Sequence, residues 1–202
     1  MRRKFFDHLT AGLFFLAAMP LTAQSQPKVT TEQPRSPIPT AWKGVEARLF
    51  EVQRLPGNTL LCSIFFANRP DAKEHAIIAE NIRKVIRPGL NGAPPYEDIA
   101  YDPYSPATGA TLIDEKTGIS YKIDEAGNNS LHKSTSESSF TLRPDTGIVM
   151  SFVVKCPPIP EVEPGQKPPK QIITIQTPKV KEPFRNIVIP QNEGEVIKFH
   201  PN

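Results

Sequence analysis

Ile148-Val149-Met150-Ser151-Phe152-Val153-Val154-Lys155-Cys156 decides the fold: Ile148, Met150, Phe152, Val154 and Cys156 recur with period two and share one face of a strand. Upstream, Phe140-Thr141-Leu142 enters this run through Arg143-Pro144-Asp145-Thr146-Gly147, a turn built from residues that fix or free the backbone. Val45 to Gln53 and Thr59 to Asn68 read as two more strands, joined at Arg54-Leu55-Pro56-Gly57-Asn58 as a hairpin. In the second of them Leu60, Cys62, Ile64 and Phe66 fall on one face, and a mixed set falls on the other. Ala110 to Asp114 pairs naturally with Ile119 to Ile123 across Lys116-Thr117-Gly118, and Gln171 to Gln176 and Arg185 to Ile189 follow a proline cluster. Seven or eight short strands at this spacing predict an all-β sandwich.

One segment departs from that pattern. Asp71-Ala72-Lys73-Glu74 has the form of a capping box, Ile78, Ile82, Val85 and Ile86 follow at helical spacing, and Arg87-Pro88-Gly89 supplies a stop. The expectation is one inserted helix over about 72–86. A bent strand is the competing reading, because the isoleucines are β-branched.

The first residues carry an address. Met1-Arg2-Arg3-Lys4, the apolar run Leu13 to Met19 and the small-residue site Leu21-Thr22-Ala23 have the three parts of a secretory signal peptide, 1–23. The apolar run is shorter than the roughly 20 residues a membrane span needs, so no transmembrane anchor is expected after cleavage and the product belongs in the periplasm or outside the cell. Of the 23 prolines in the chain, four lie between Gln26 and Thr40, so 24–40 reads as a Pro-rich linker, 41–190 as the folded domain and 191–202 as a tail. The formal net charge is only +3 over 202 residues, and cutting after Ala23 removes Arg2, Arg3 and Lys4 together with Asp7. A near-neutral chain with interspersed charges argues against nucleic acid, which demands a basic stripe.

Cys62 and Cys156 are the only cysteines. Export would place both where disulfides persist, each lies on the better-patterned face of its strand, and antiparallel strands would bring them to one end of the domain. A Cys62–Cys156 bridge is therefore expected; the alternative is two buried thiols that behave as small hydrophobes. A redox pair is disfavoured because no C-x-x-C occurs.

No catalytic signature and no cofactor motif stands out. His8, His75, His132 and His200 are scattered, which weakens both metal and hydrolase readings. Asp114, Asp124 and Asn128 are oxygen donors of the kind that hold calcium, set against the plainer reading that turns select the same residues. Tyr96, Tyr101 and Tyr104 lie in the Pro-containing stretch 93–106, which reads as a long exposed loop and a candidate interaction surface. Rings folded back over the core are the alternative.

The order Leu60 to Asn68, then Ala110-Thr111-Leu112-Ile113-Asp114-Glu115-Lys116-Thr117-Gly118 with Tyr121, then Leu142-Arg143-Pro144 into Val149 to Val154, resembles secreted bacterial immunoglobulin-like modules related to mycobacterial immunoprotective extracellular antigens. The resemblance spans roughly Val45 to Ile189 and implies an immunoglobulin-like β-sandwich without a shared catalytic site. The chain departs from antibody domains in that Trp42 precedes both cysteines. The functional expectation is an exported, non-enzymatic module that binds a protein or another cell-envelope component. Its rivals are a structural subunit of an envelope assembly or secretion system and, behind that, a hydrolase.

Overall fold

The computed structural model describes residues 29–89, 93–102, 104–122 and 140–200. The stretch read as a signal peptide, 1–23, and with it His8, lies outside these residues, as do Asp124, Asn128 and His132. All the regular structure among the described residues is β. Fourteen strands run through them in chain order: β1 (Val29–Pro34), β2 (Ile38–Pro39), β3 (Val45–Leu55), β4 (Thr59–Asn68), β5 (Ala76–Ile78), β6 (Asn81–Arg87), β7 (Tyr96–Asp102), β8 (Thr111–Asp114), β9 (Ser120–Lys122), β10 (Phe140–Leu142), β11 (Gly147–Lys155), β12 (Ile172–Gln176), β13 (Phe184–Val188) and β14 (Val196–His200).

The largest sheet has the order β1-β14-β3-β4-β11, with β2 also paired to β3, and a second sheet has the order β13-β12-β8-β9. One core cluster draws on both: Leu60, Ile64, Phe66 and Phe152 from the first, Leu112, Ile173, Ile175 and Ile187 from the second. This is the layer arrangement of a β-sandwich, in which two half-apolar sheets bury their faces against each other. Small pairs β5–β10 and β6–β7 complete the set. The strands reach beyond 41–190 on both sides: part of the stretch read as linker pairs as β1 and β2, and β14 lies in the stretch read as tail.

The β3–β4 hairpin shows how the sequence makes the core. Gly57 and Asn58 take left-handed φ values of 73° and 54°, so the chain reverses tightly between the strands. Val45, Ala47 and Leu49 point inward, but strict alternation would then carry Glu51 and Gln53 into the core. A β-bulge prevents this. Leu49 stands opposite Ile64 and Glu51 opposite Ser63, leaving Phe50 as the extra residue, and from there Val52 and Arg54 face inward instead.

The bulge therefore buries an arginine. Arg54 is 1% exposed. Its Nε donates to Pro190 O at 2.7 Å, Nη1 and Nη2 to Pro157 O at 3.2 and 3.4 Å, and Nη2 to Gln171 Oε1 at 2.8 Å. A buried charge is tolerated only when its donors are satisfied, and here neutral oxygens do so. Gln171 Nε2 in turn donates to Pro158 O at 2.8 Å. Prolines offer no N–H of their own, so this one guanidinium ties the chain leaving β11 to the chain leaving β13 through their carbonyls.

The inserted helix is a correction. Over 72–86 the chain forms β5 and β6 instead, with Ala76, Ile77 and Ile78 opposite Leu142, Thr141 and Phe140, and β6 opposite β7. Ile77, Ile78, Ile82, Val85 and Ile86 are β-branched and gain cross-strand partners that a lone helix lacks. The expected cap does not form either: Asp71 pairs with Arg69 at 3.3 Å, and Glu74 O accepts from Asn68 Nδ2 at 3.0 Å.

Candidate functional site

The stretch read as a long tyrosine-bearing loop contains β7, which pairs antiparallel with β6 to make a two-stranded ribbon. Direct partners share a face, so Ile82 with Tyr101, Lys84 with Ile99 and Ile86 with Glu97 line one side, and Arg83 with Ala100, Val85 with Asp98 and Arg87 with Tyr96 line the other. Neither side is sealed by the core. Ile82 and Ile86 are 58% and 66% exposed, and Ile99 and Tyr96 are also open to solvent.

The ribbon's charges are taken up within it. Arg83 Nη2 meets Asp102 Oδ1 at 3.1 Å, Lys84 Nζ meets Glu97 Oε2 at 3.2 Å, and Arg87 pairs with Asp98. The Asp98 carboxyl is held below the usual carboxylate range, chiefly because it accepts from the Ile99 backbone N–H and then from Arg87. Such exposed pairs add little stability but fix the register of a ribbon that has no core beneath it. At the ribbon's base an open hollow of about 550 Å³ is bordered by Trp42, Lys43, Arg69, His75, Ile77 and Ile82.

The three tyrosines separate. Tyr96 is exposed and Tyr101 half-buried on the ribbon, but Tyr104 is 3% exposed and belongs to the core, a correction to the expected trio. Its hydroxyl donates to Pro178 O at 2.8 Å, and its ring makes edge contacts with Trp42 and Phe66 at centroid distances of 4.6 and 5.8 Å. Burial pushes its phenol pKa up, so it stays neutral. Trp42 ties this cluster to the segment before the ribbon by donating from Nε1 to Ala79 O at 3.1 Å.

The expected disulfide is also corrected: Cys62 and Cys156 are both buried and not bonded to each other. Cys62 stands opposite Phe152, whereas Cys156 lies at the register position of Asn58 and donates its N–H to Asn58 O at 2.9 Å. Four residues along β4 separate those positions, roughly 10 Å or more at the extended rise. A disulfide tolerates a Cα separation of only about 4.4 to 6.8 Å. Facing the same core is not enough; the register is wrong. Burial raises both thiols; Cys156 raises Cys62 further, while Arg54 and Lys155 partly offset the rise at Cys156. Thiols held protonated in this way are poor nucleophiles and poor metal ligands.

Asp114 serves its own turn. Its Oδ1 accepts from Lys116 N at 3.1 Å and its Oδ2 from Thr117 Oγ1 at 2.6 Å, and Gly118, at φ 71°, donates to Asp114 O at 2.8 Å. The other calcium candidates, Asp124 and Asn128, lie outside the described residues, and among those described no three or more His, Cys, Asp or Glu side chains converge. His75, in the link before β5, and His200, at the end of β14, are both exposed. No helix of the described residues is long and apolar enough to cross a membrane.

Sequence reasoning missed the ribbon because Ile82, Val85 and Ile86 satisfy helical spacing as readily as a strand. The cue was their β-branching, together with Tyr96 to Asp102 on the far side of Arg87-Pro88-Gly89 as a partner of equal length. Compared with family models, with curated proteins and with solved structures, the chain matches none.

Proposed function

We propose that this is an exported, non-catalytic binding module of the periplasm or cell exterior that contacts a protein partner in the cell envelope through the β6–β7 ribbon. The observation that carries the reading is the ribbon's division of labour: its charges pair with one another, while Ile82, Ile86 and Ile99 remain turned to solvent. Apolar side chains grouped on an exposed strand pair are a recognition surface or an aggregation hazard, and a flat strand pair also offers edges for strand addition. At the level of fold, the resemblance to immunoglobulin-like modules supports the same picture of a sandwich that displays loops and ribbons for binding.

A structural subunit of an envelope assembly is the second reading. It is favoured by β1, which adds in parallel to β14 and has no strand on its other edge among the described residues.

Photocrosslinkers placed at 86 and 99 in intact cells test the first reading. A discrete partner captured from both sites, and not from a crosslinker at the exposed Val162, is the expected result. Failure to capture any partner, together with turnover in a hydrolase screen, would overturn it.

A further inference from the structure

A second site is built where the large sheet changes partners. On the edge of β3 away from β4, β14 pairs only over Glu51–Gln53 and β2 only over Glu46–Ala47. Arg48, Leu49 and Phe50 between them have no strand partner on that side among the described residues. The gap opens a hollow of about 190 Å³, bordered by Arg35, Arg48, Phe50, Phe65, Phe199 and His200.

Its walls are aromatic and its rim is cationic. Phe50 is in place because the bulge adds it to the outer face of β3. The Phe65 ring lies between two supports: the Arg48 guanidinium, 5.1 Å from its centroid, and the bare backbone of Gly147. A side chain at 147 would drive its Cβ into Phe65 Cζ, so glycine is what lets the ring lie there. Arg35 sits 5.6 Å from the Phe199 centroid and is anchored by donating to Arg185 O and to Asn186 O at 2.6 Å. Those acceptors are neutral, and the Glu115 carboxylate beside them partly offsets the Arg35 charge, so Arg48 is the cation left for an anion at the mouth. Arg48 has no carboxylate within ion-pair distance among the described residues, and nearby Glu51 turns to Ser63, 3.4 Å away.

We propose that this hollow binds a small organic carboxylate with a single-ring body, the ring entering among Phe50, Phe65 and Phe199 and the carboxylate meeting Arg48 at the mouth. Arginine matches a carboxylate through its planar fork, and the aromatic walls supply the apolar burial. The volume sets the size. Drug-sized ligands fill about 300 to 1,000 Å³, so this hollow suits little more than one ring.

The probe is 3-phenylpropionate, with neutral 3-phenylpropanamide as its partner, titrated into the full chain by calorimetry. The carboxylate should bind about tenfold or more tightly than the amide, the difference that one charge-assisted pair supplies. Arg48→Met should remove that preference, Arg48→Lys should restore part of it, and Gly147→Ala should weaken both compounds by displacing the Phe65 ring. Unchanged thermal unfolding of Arg48→Met separates loss of the site from loss of the fold. Equal affinity for the two compounds, or no heat up to about 10 mM, where a ligand of this size with ordinary efficiency registers, overturns the proposal.

Discussion

The β3–β4 and β6–β7 pairs are both antiparallel hairpin-like units rich in apolar and basic residues, yet one forms the centre of the core and the other lies open on both faces. The difference is periodicity. In β3 and β4 one face is continuously apolar, with a single bulge correcting the phase, so that face can be sealed by the opposing sheet. In β6 the apolar residues fall at 82, 85 and 86, so neither face is apolar enough to bury, and salt bridges hold the register instead. Arginines make the same contrast. Arg54 is enclosed and bonded to neutral oxygens, whereas Arg83 and Arg87 face solvent beside carboxylates.

Truncation of one apolar side chain in each region tests that contrast most strongly. Phe152→Ala, in the strand laid against β4, should cost about 3 to 5 kcal/mol, whereas Ile86→Ala should stay within about 0.5 kcal/mol. Urea unfolding monitored by circular dichroism measures both, and a comparable loss at Ile86 would mean the ribbon is sealed after all. Next in size, Arg54→Met should cost about 3 kcal/mol by leaving the Pro157, Pro190 and Gln171 oxygens without a donor. The urea midpoint should fall with an unchanged slope. A loss below about 1 kcal/mol would show that the proline-rich crossing does not depend on this arginine.

The smallest effect concerns the thiols. Both have raised pKa values in the folded protein, so below about pH 8 they are protonated folded or unfolded and contribute no pH dependence. Above about pH 8.5 the unfolded chain gives up those protons more readily than the folded chain, and stability should fall with rising pH, by up to about 1.4 kcal/mol per pH unit for the fully buried Cys62. Cys62→Ala should flatten that alkaline limb by one thiol's share. A wild-type curve without the limb, joined by failure of the unfolded, unreduced chain to take up two alkyl groups, would point to a bridge instead.

Much of the sandwich is legible in the order of the residues. The hairpin around Gly57-Asn58, the strand pair flanking Lys116-Thr117-Gly118, and the runs that form β10, β11, β12 and β13 are all marked by alternation or turn chemistry. These signals are local, so neighbouring residues carry them openly. What escapes depends on distant partners. Ile78 to Ile86 is strand because of Leu142 and Tyr96 to Asp102, Arg54 is buried because of prolines more than a hundred positions away, and Tyr104 is core because Trp42 and Phe66 meet it. The bulge at Phe50 is harder still to foresee, since nothing in Leu49-Phe50-Glu51 announces an extra residue. Yet it decides both that Arg54 turns to the core and that Phe50 stands on the outer face beside Arg48.

The parallel pairing of β1 with β14 has a consequence for how the molecule is made. Val29 to Pro34 leaves the ribosome well ahead of Val196 to His200 and has to wait for its partner. The contact closes a very long loop and so belongs to the slow class of long-range strand pairings. Until then the edge of β3 that β14 will cover stands unpaired. The nascent domain therefore spends most of its synthesis without its final seam, a state in which extended polypeptide is open to a chaperone.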